Sequence, residues 1–309
     1  MSDRDGIVLH GTGGVWRVRL ADGEECDATL AGRLKQDDRG GVKLAVGDRV
    51  ALAEDDRGGW RIAEIAARTA VLSRREPGRR AGERVLAANV DQVIVVFAAA
   101  QPEPHVRMID RFLVIAEGND LRARLVLNKV DLVDPSALDT LAADYLAAGY
   151  PVHRTSIKNG VGLAALRAAL NGRVSAFTGP SGVGKSSLLN VLLPGIDLRT
   201  QEISASVNKG RHTTVGARLI ALPDSDGGYL VDTPGLREVG MWGLPSRELD
   251  HCFPEFASLL HDCRFADCAH EHEPDCAILA AVAAGTLSRA RHESYLKLRE
   301  ELQVAERRY

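Results

Sequence analysis

The sequence lacks the features that would direct a chain to a membrane, to secretion or to general nucleic-acid binding. Apolar runs such as Val93–Ala100 are far shorter than the roughly 20 residues of a membrane-spanning helix. The first residues, MSDRDGIVLH, contain no charged-then-apolar leader, which predicts no secretory signal. A formal net charge of −3 gives no basic field that would attract nucleic acid. We therefore expect a cytoplasmic protein without membrane contact, in which any RNA contact comes from local patches.

Cysteine is also scarce, with five in 309 residues, and four of them lie close together. These four, all within one C-terminal stretch, are Cys252, Cys263, Cys268 and Cys276. In a cytosolic protein such clustering indicates metal binding more than disulfide bonds. Internal repeats and coiled-coil heptads are missing too, so we expect a monomer.

The N-terminal part of the chain divides into two segments. Residues 1–72 contain short strands such as Val15–Leu20, separated by Gly- and Asp-rich turns, which predicts a small β-barrel. An OB-fold fits this pattern, and a generic barrel or an SH3-like unit fits it nearly as well. Residues 73–84, SRREPGRRAGER, predict an Arg-rich linker, which is either a solvated loop or an arm that contacts phosphates.

Residues 85–245 alternate short apolar strands, at 92–98, 123–129, 151–156 and 174–179, with helical stretches. This alternation predicts an α/β fold with a mostly parallel, doubly wound sheet. Ligands of such sheets lie at the carboxyl ends of the strands. Residues 246–309 instead combine a Cys/His cluster with a charged helical tail, which predicts a small metal-binding, α-rich domain.

A phosphate-binding loop is predicted at Gly179-x4-Gly184-Lys185-Ser186, which follows an apolar strand and leads into a helix. Glycines let the backbone N–H groups surround phosphates, and the helix N-terminus adds positive potential. We expect Lys185 to reach the β- and γ-phosphates and Ser186 to bind Mg²⁺. The candidate phosphate-binding residues are Gly179, Pro180, Ser181, Gly182, Val183, Gly184, Lys185, Ser186 and Ser187.

The sequence NKVD, residues 128–131, follows a predicted strand and is suited to bind guanine. A carboxylate at Asp131 can accept hydrogen bonds from N1–H and N2–H₂ of guanine, and adenine lacks this donor pair. The sequence TSIK, residues 155–158, follows the next strand and can supply an N–H to guanine O6. The candidate guanine-binding residues are Asn128, Lys129, Val130, Asp131, Ser156 and Lys158. GTP and GDP are therefore the predicted ligands, and ATP is disfavoured.

Two further motifs predict the groups around Mg²⁺ and the γ-phosphate. In DTPG, residues 232–235, Asp232 can contact the Mg²⁺ shell and Gly235 can donate its N–H to the γ-phosphate. The stretch GRHTTVG, residues 210–216, lies where a switch segment belongs. Thr213 or Thr214 is expected to close over Mg²⁺, and the sequence leaves that choice open.

The residue after DTPG is Leu236, where Ras-type GTPases have a Gln that orients the attacking water. An apolar side chain cannot orient water, so hydrolysis is expected to be slow without a group from elsewhere. His212 is one candidate for that group, and an ordinary loop histidine is the alternative.

The spacing Cys263-x4-Cys268-x-His270-x5-Cys276 predicts a metal site in the C-terminal segment. Three thiolates and one imidazole form a closed tetrahedral Zn²⁺ site without an open position for catalysis. We therefore expect a structural zinc ion that fastens a small domain. His261 and His272 are spare candidate ligands, and Cys252 is expected to be a buried thiol.

The order of these motifs is unusual, because the guanine motif NKVD precedes the phosphate loop. Ordinary GTPases have the phosphate loop first, so this order indicates a circularly permuted GTPase domain. With the barrel before it and the Cys₃His cluster after it, the chain resembles the ribosome small-subunit-dependent GTPase A family of bacteria over nearly all its length. The stretches RHTT, GPSGVGKSSL and DTPG and the Cys/His spacing match the pattern of that family.

The resemblance implies an N-terminal OB-fold barrel, a permuted P-loop GTPase core and a C-terminal zinc domain. It implies GTP hydrolysis stimulated by the small ribosomal subunit, in late maturation of that subunit and release of an assembly factor. The flanking domains would contact ribosomal RNA. A nucleotide-gated binding module with incidental hydrolysis is the main alternative, and a permuted GTPase with a non-ribosomal partner is another.

The barrel segment departs from the usual charge of an RNA-binding domain. Residues 1–70 contain 11 Lys or Arg and 13 Asp or Glu, whereas RNA-binding domains are usually basic. We therefore expect RNA contact from the arginines at 74–84 and from C-terminal residues. The C-terminal candidates are Arg289, Arg291, Lys297 and Arg299.

Overall fold

The structure is a computed structural model of the 309-residue chain. It describes residues 4–32, 34, 43–55, 58–75, 83–194, 217–223, 227–232 and 244–307. Packing divides the chain into two compact units, one of residues 1–92, 167–177 and 189–238 and the other of residues 93–166, 178–188 and 239–309. These units do not follow the domain boundaries predicted at 72, 84 and 245, which stay a prediction.

The N-terminal strands close into a barrel in the order β1-β2-β3-β5-β4. Their bounds are β1 Arg4–Thr12, β2 Val15–Leu20, β3 Glu25–Leu30, β4 Arg49–Glu54 and β5 Trp60–Ile65. Strand β1 pairs antiparallel with both β2 and β4, and β3 pairs parallel with β5. This five-stranded closed barrel is OB-like, which favours the OB-fold over the SH3-like unit among the folds expected from the sequence. The barrel core consists of Val8, Val18, Leu20, Ala28, Val50, Leu52 and Ile62.

Two strands lie where the sequence predicts a linker. Strands β6 (Val71–Arg75) and β7 (Glu83–Ala88) form a two-stranded antiparallel sheet. The register pairs Val71 with Ala88 and Arg75 with Glu83. Residues 73–75 and 83–84 of the predicted linker are therefore strand. The dense arginines and the Pro-Gly turn conceal this pairing in the sequence, because both are typical of a linker.

The predicted α/β core is confirmed as a six-stranded sheet in the order β10-β9-β8-β11-β13-β12. Its strands are β8 Gln92–Ala98, β9 Arg122–Asn128, β10 Val152–Thr155, β11 Val174–Thr178, β12 Arg218–Ala221 and β13 Tyr229–Asp232. The pairs β9–β10 and β11–β13 are parallel, and the edge pair β12–β13 is antiparallel. Every residue of β8 and β11 is buried, as expected for apolar strands at the centre of such a sheet.

Helices connect these strands, as the alternating pattern predicts. They are α1 Val106–Glu117, α2 Pro135–Ala147, α3 Leu163–Leu170 and α4 Lys185–Leu192. Asp134 caps α2 by accepting a hydrogen bond from the Ser136 N–H, and Pro135 occupies the first turn, where proline is tolerated. Among the helices that the structure describes, none is both long enough and apolar enough to cross a membrane.

The C-terminal segment begins with short 3₁₀ turns and ends with helices α5 (Ala277–Ala283) and α6 (Arg289–Glu306). Its apolar cluster includes Val114 of α1, so this segment packs on part of the predicted GTPase core. The other buried members are Leu249, Cys252, Phe253, Phe256, Cys276, Ile278, Val282, Leu287, Tyr295, Leu298 and Leu302. Cys252 is buried as expected, and burial raises the pKa of its thiol to about 12.

Arg291, which the sequence suggests as an RNA contact, is buried, and that interpretation is wrong. Its side chain is 1% exposed and forms ion pairs with Asp110 of α1 at 2.6 Å and Glu255 at 2.7 Å. Its guanidinium also lies 4.7 Å from the ring centre of Phe253. The charge of Arg291 is therefore paired with carboxylates inside the protein. The remaining candidates for RNA contact are Arg289, Lys297 and Arg299.

Replacing Arg291 with Met is expected to lower the free energy of unfolding by about 3–5 kcal/mol, because it leaves the buried Asp110 carboxylate without its partner. Urea denaturation of the purified chain measures this loss. The matched control is Arg289→Met on the exposed start of α6, which is expected to change stability by less than about 0.5 kcal/mol. Equal effects of the two substitutions would contradict the structural role of the buried pair.

Candidate functional site: nucleotide loop and metal cluster

The predicted phosphate loop lies between the carboxyl end of β11 and the first turn of α4. Gly179, Gly182 and Gly184 have φ values of +136°, +82° and +93°, which favour glycine. A Cβ atom on Gly179 would lie 2.1 Å from the carbonyl oxygen of Val96, so no larger residue fits there. The Lys185 ammonium donates to the carbonyl oxygens of Gly179, at 2.6 Å, and Pro180. The loop backbone thus surrounds the ammonium group of Lys185, which is expected to bind phosphates.

Asn128 connects this loop to the ends of two strands. Its side chain is 1% exposed, its Nδ2 donates to the Val183 carbonyl at 2.9 Å, and its Oδ1 accepts from the Thr155 hydroxyl at 3.1 Å. Gly184 packs against the same amide, because a Cβ atom there would lie 2.5 Å from Asn128 Nδ2. The structure therefore brings the first residue of NKVD into contact with the phosphate loop, although 51 positions separate residues 128 and 179.

Replacing Gly184 with Ala is expected to weaken GDP binding by about 30- to 100-fold. The new methyl group would displace Asn128 and leave a buried amide or carbonyl unpaired, which costs about 2–3 kcal/mol. Isothermal titration with GDP measures the loss. Gly149→Ala is the matched control, since Gly149 has a similar φ of +90° but no atom within 4 Å of its Cβ position. If the two variants bound GDP equally well, the packing at Gly184 would not matter.

Lys129 lies in the left-handed region with φ of +60° and reaches across the loop. Its ammonium donates to the Gly182 carbonyl at 2.8 Å and to the Gln101 carbonyl. Sequence reasoning missed Gln101 and its neighbour Pro102, whose Cδ lies 3.7 Å from the Cβ position of Gly182. Their position after β8, at the carboxyl end of a buried strand, was the available signal. The segment after β8 therefore forms a third side of this site.

Asp131 is fixed by the second predicted motif. Its Oδ1 accepts from the Ser156 hydroxyl at 2.6 Å, and this hydrogen bond, with a smaller effect of the Lys158 charge, lowers the pKa of Asp131. Ser156 is buried, and its N–H donates to the Val161 carbonyl at 3.0 Å. The carboxylate is therefore ionised at neutral pH and is held in one orientation, as an acceptor for a donor pair must be.

Asp232 is the last residue of β13, which runs parallel to β11. The register pairs Ala176 with Val231, and Ala176 lies two residues before the end of β11 at Thr178. The other predicted groups near the γ-phosphate lie outside the described residues. They are His212, Thr213, Thr214 and Gly235, together with Leu236.

Four predicted metal ligands converge in the C-terminal segment. The ligand atoms of Cys263, Cys268, His270 and Cys276 all lie within 4.8 Å of one another, so this cluster could hold a metal ion. The distances are 4.0 Å between the Cys263 and Cys276 sulfurs and 3.7 Å and 3.4 Å from those sulfurs to His270 Nδ1. A tetrahedron with metal–sulfur bonds of about 2.3 Å has edges of about 3.8 Å, so the donor spacing fits one four-coordinate ion.

The groups around the cluster orient it. The Nε2 atom of His270 is buried and lies 3.6 Å from the Asp250 carboxylate, a distance longer than a hydrogen bond. His292 Nε2 lies 2.8 Å from the His270 carbonyl, and the Tyr295 hydroxyl donates to the Ala269 carbonyl. His261 and His272 are exposed and lie outside the cluster. The spare candidates are therefore not needed to complete a four-ligand set.

Glu273 organises the metal loop, and sequence reasoning missed it. Its carboxylate accepts hydrogen bonds from the backbone N–H groups of Ala269, Glu271 and His272. Partial burial raises its pKa, but these hydrogen bonds outweigh burial and lower the pKa to about 2. Because the pKa is depressed from 4.5, this stabilisation is present above pH 4.5 and is lost as the pH falls toward 2.

Comparison with known proteins agrees with this geometry. A family model described as RsgA GTPase matches residues 65–242. The "Small ribosomal subunit biogenesis GTPase RsgA" of Gemmatimonas aurantiaca is 59% identical over 299 residues, which cover 96% of this chain and 97% of that protein. The protein of the same name from Azotobacter vinelandii is 41% identical, with 95% and 84% covered.

Two solved structures resemble the whole chain. YjeQ from Thermotoga maritima superimposes with a TM-score of 0.82 at 36% identity, with 98% of this chain and 99% of that chain covered. YloQ, described as a circularly permuted GTPase, gives a TM-score of 0.78 at 29% identity, with 98% and 96% covered. The permuted order of motifs inferred from the sequence is thus the order of a known fold.

Proposed function

Because this chain belongs to the RsgA GTPase family and is a GTPase with a circularly permuted core, we propose that it hydrolyses GTP on the small ribosomal subunit. Two relatives that are 59% and 41% identical to it are named as small ribosomal subunit biogenesis GTPases. The proposed role is late maturation of that subunit, ending in release of an assembly factor. The proposed location is the cytoplasm, and the proposed state is a monomer.

The observation that carries the proposal is the contact between the guanine motif and the phosphate loop through Asn128. The Asn128 amide donates to the loop carbonyl of Val183, and the Lys129 ammonium donates to that of Gly182. Asp131, three residues along, presents an oriented carboxylate. A guanine nucleotide could therefore bind with its phosphates against the loop and its base at the Asp131 carboxylate.

The proposed binding roles follow from these positions. Asp131 would accept from guanine N1–H and N2–H₂, and Asn128, Lys129, Val130, Ser156 and Lys158 would form the rest of the guanine pocket. Residues 179–187 would surround the phosphates, with Lys185 at the β- and γ-phosphates. Mg²⁺ would bind Ser186, with Asp232 in its shell, and Thr213 or Thr214 would complete it. Gly235 would contact the γ-phosphate, and His212 is the candidate to orient water.

We propose zinc as the metal of the Cys₃His cluster. Thiolate and imidazole donors at this spacing suit Zn²⁺, and all four positions are filled by the protein. Burial raises the pKa of the Cys268 and Cys276 thiols, so a cation is needed to keep them as thiolates at neutral pH. Zinc would therefore stabilise the loop of residues 263–276 and take no part in hydrolysis.

The proposed domain division is a barrel of residues 1–72, a connection of residues 73–84, a GTPase core of residues 85–245 and a zinc domain of residues 246–309. Ribosomal RNA would contact the flanking parts, and the C-terminal candidates are Arg289, Lys297 and Arg299. Because residues 232–235 lie a short distance before the zinc domain in the chain, loss of the γ-phosphate would change how that domain contacts RNA.

GTP turnover by the purified chain, alone and with small or large ribosomal subunits at two salt concentrations, tests this proposal. We expect strong stimulation by the small subunit only, weakening at the higher salt because phosphate contacts release counterions. Equal turnover with and without small subunits, with GTP still bound, would reject the proposal. That outcome would favour a nucleotide-gated binding module with incidental hydrolysis, the alternative suggested by Leu236.

A further inference from the structure

Two neighbouring side chains of α6 contact different parts of the molecule. Arg291 donates to the Asp110 carboxylate of α1 at 2.6 Å. His292, the next residue, lies with its Nε2 atom 2.8 Å from the carbonyl of the metal ligand His270. One turn further, the Tyr295 hydroxyl donates to the Ala269 carbonyl at 3.1 Å. Helix α6 is thus bonded to α1 on one side and to the metal loop on the other.

The N-terminal end of α1, about one turn before Asp110, follows a segment that contacts the nucleotide loop. Helix α1 begins at Val106, five residues after Gln101, and the Gln101 carbonyl accepts from the Lys129 ammonium. The same ammonium donates to the Gly182 carbonyl of the phosphate loop. A displacement of α1 along its axis would therefore move one of the two carbonyl groups that position Lys129 over the loop.

The Asp110–Arg291 pair makes α1 and α6 move together. Asp110 is 0% and Arg291 is 1% exposed, and the Arg291 guanidinium also bonds both carboxylate oxygens of Glu255. Separating such a pair would leave charges in a region without water, which is strongly unfavourable. Closely packed elements of this kind shift between discrete arrangements and do not deform continuously.

We propose that α1 and α6, joined by Asp110 and Arg291, couple the metal loop to the nucleotide loop, so that binding at either site changes affinity at the other. Asp110, Arg291 and Tyr295 are positioning residues in this path, and none of them touches the nucleotide. The inference rests on the proposed guanine-nucleotide and zinc sites. Linkage requires the same coupling factor in both directions.

The test measures both directions in the full-length, zinc-loaded chain. Zinc affinity is measured at equilibrium by competition with a chromophoric chelator, with and without GDP, and GDP affinity is measured before and after the metal is removed. We expect GDP to raise zinc affinity by about fivefold or more, and zinc removal to weaken GDP binding by the same factor.

Three variants locate the path. Tyr295→Phe removes one hydroxyl from the metal end, and Asp110→Asn removes the charge but keeps the shape at the other end. Both are expected to bind one zinc ion and GDP, with a coupling factor reduced toward one. Arg111→Gln is the matched control, because it breaks the exposed Arg111–Glu301 pair between the same two helices and should leave the coupling unchanged.

The outcomes separate this inference from the proposed function. If the wild-type chain binds GDP but GDP does not alter zinc affinity, the inference is wrong and the proposed nucleotide site stands. If the chain binds zinc but no GDP, the nucleotide site itself is wrong and the inference fails with it. Unchanged coupling in both Tyr295→Phe and Asp110→Asn would also overturn the inference, because it would place the path elsewhere.

Discussion

Replacing Asp131 with Asn is expected to turn a GTP-binding chain into one that prefers xanthosine triphosphate. A carboxylate accepts from both N1–H and N2–H₂ of guanine, whereas an amide accepts one hydrogen bond and donates one. Xanthine has a carbonyl where guanine has N2–H₂, so it matches the amide. The ratio of GTP to xanthosine triphosphate affinity is expected to fall on the order of 10⁴-fold, because each mismatch leaves polar groups unpaired in the pocket. Competition binding with the two nucleotides measures this ratio.

The matched control for this substitution is Asp134→Asn, three residues along the chain. Asp134 caps α2, and asparagine caps helices about as well as aspartate, so the same charge change should leave GTP preference unaltered. A variant Asp131→Asn that keeps its preference for GTP would show that this carboxylate does not contact the base. If the affinities for both nucleotides fell equally, Asp131 would stabilise the pocket without discriminating between the two bases.

Replacing Cys263 with Ala is expected to remove the metal and destabilise the C-terminal segment. Cys263 is only half-buried, so the substitution itself loses little packing, and the effect reports the metal. Structural zinc ions contribute on the order of 10 kcal/mol in small domains. This segment also has an apolar cluster, so we expect a smaller loss, with a melting temperature lower by about 10 °C. Metal analysis is expected to find about one zinc ion per wild-type chain and almost none in the variant.

The control is Cys252→Ala, in the same apolar cluster but outside the group of ligands. It should keep one zinc ion per chain and lose only the stability that follows from a smaller buried side chain. A wild-type chain that binds no zinc, or a Cys263→Ala variant that melts at the wild-type temperature, would contradict the structural role of the cluster. Since thiols must lose protons to bind metal, zinc retention by the wild type is expected to fall as the pH is lowered.

Much of the fold could be predicted from the sequence because its local signals agree. Strands β2, β8 and β11 are apolar or alternating runs whose predicted and observed bounds differ by at most one residue. The phosphate loop has glycines where the backbone needs positive φ. The Cys/His spacing predicted a cluster that the structure brings within 4.8 Å. In each of these cases the residues that give the signal lie within one short stretch of the chain, the longest being residues 263–276.

The features that sequence reasoning missed depend on residues far apart in the chain. Nothing in the sequence around Arg291 distinguishes it from an arginine on the exposed face of a helix. Its burial depends on hydrogen bonds to carboxylates that lie 36 and 181 positions away in the chain. Gln101 contacts Lys129 through its backbone carbonyl, and every residue has such a carbonyl, so the residue type gives no signal. The sequence does not distinguish Glu273 from other acidic residues, because its role depends on backbone N–H groups that the folded loop brings to its carboxylate. The strands β6 and β7 pair across an interval that charge alone suggested was a linker.

The most direct measurement of the central claim is a crystal structure of the chain with GDP and Mg²⁺. The claim is that one guanine-nucleotide site is assembled from NKVD and from a phosphate loop that follows it in the chain. We predict that guanine N1 and N2 lie within hydrogen-bonding distance of the Asp131 carboxylate, with the phosphates against residues 179–187. A nucleotide whose phosphates occupy the loop while its base lies away from Asp131 would contradict the account.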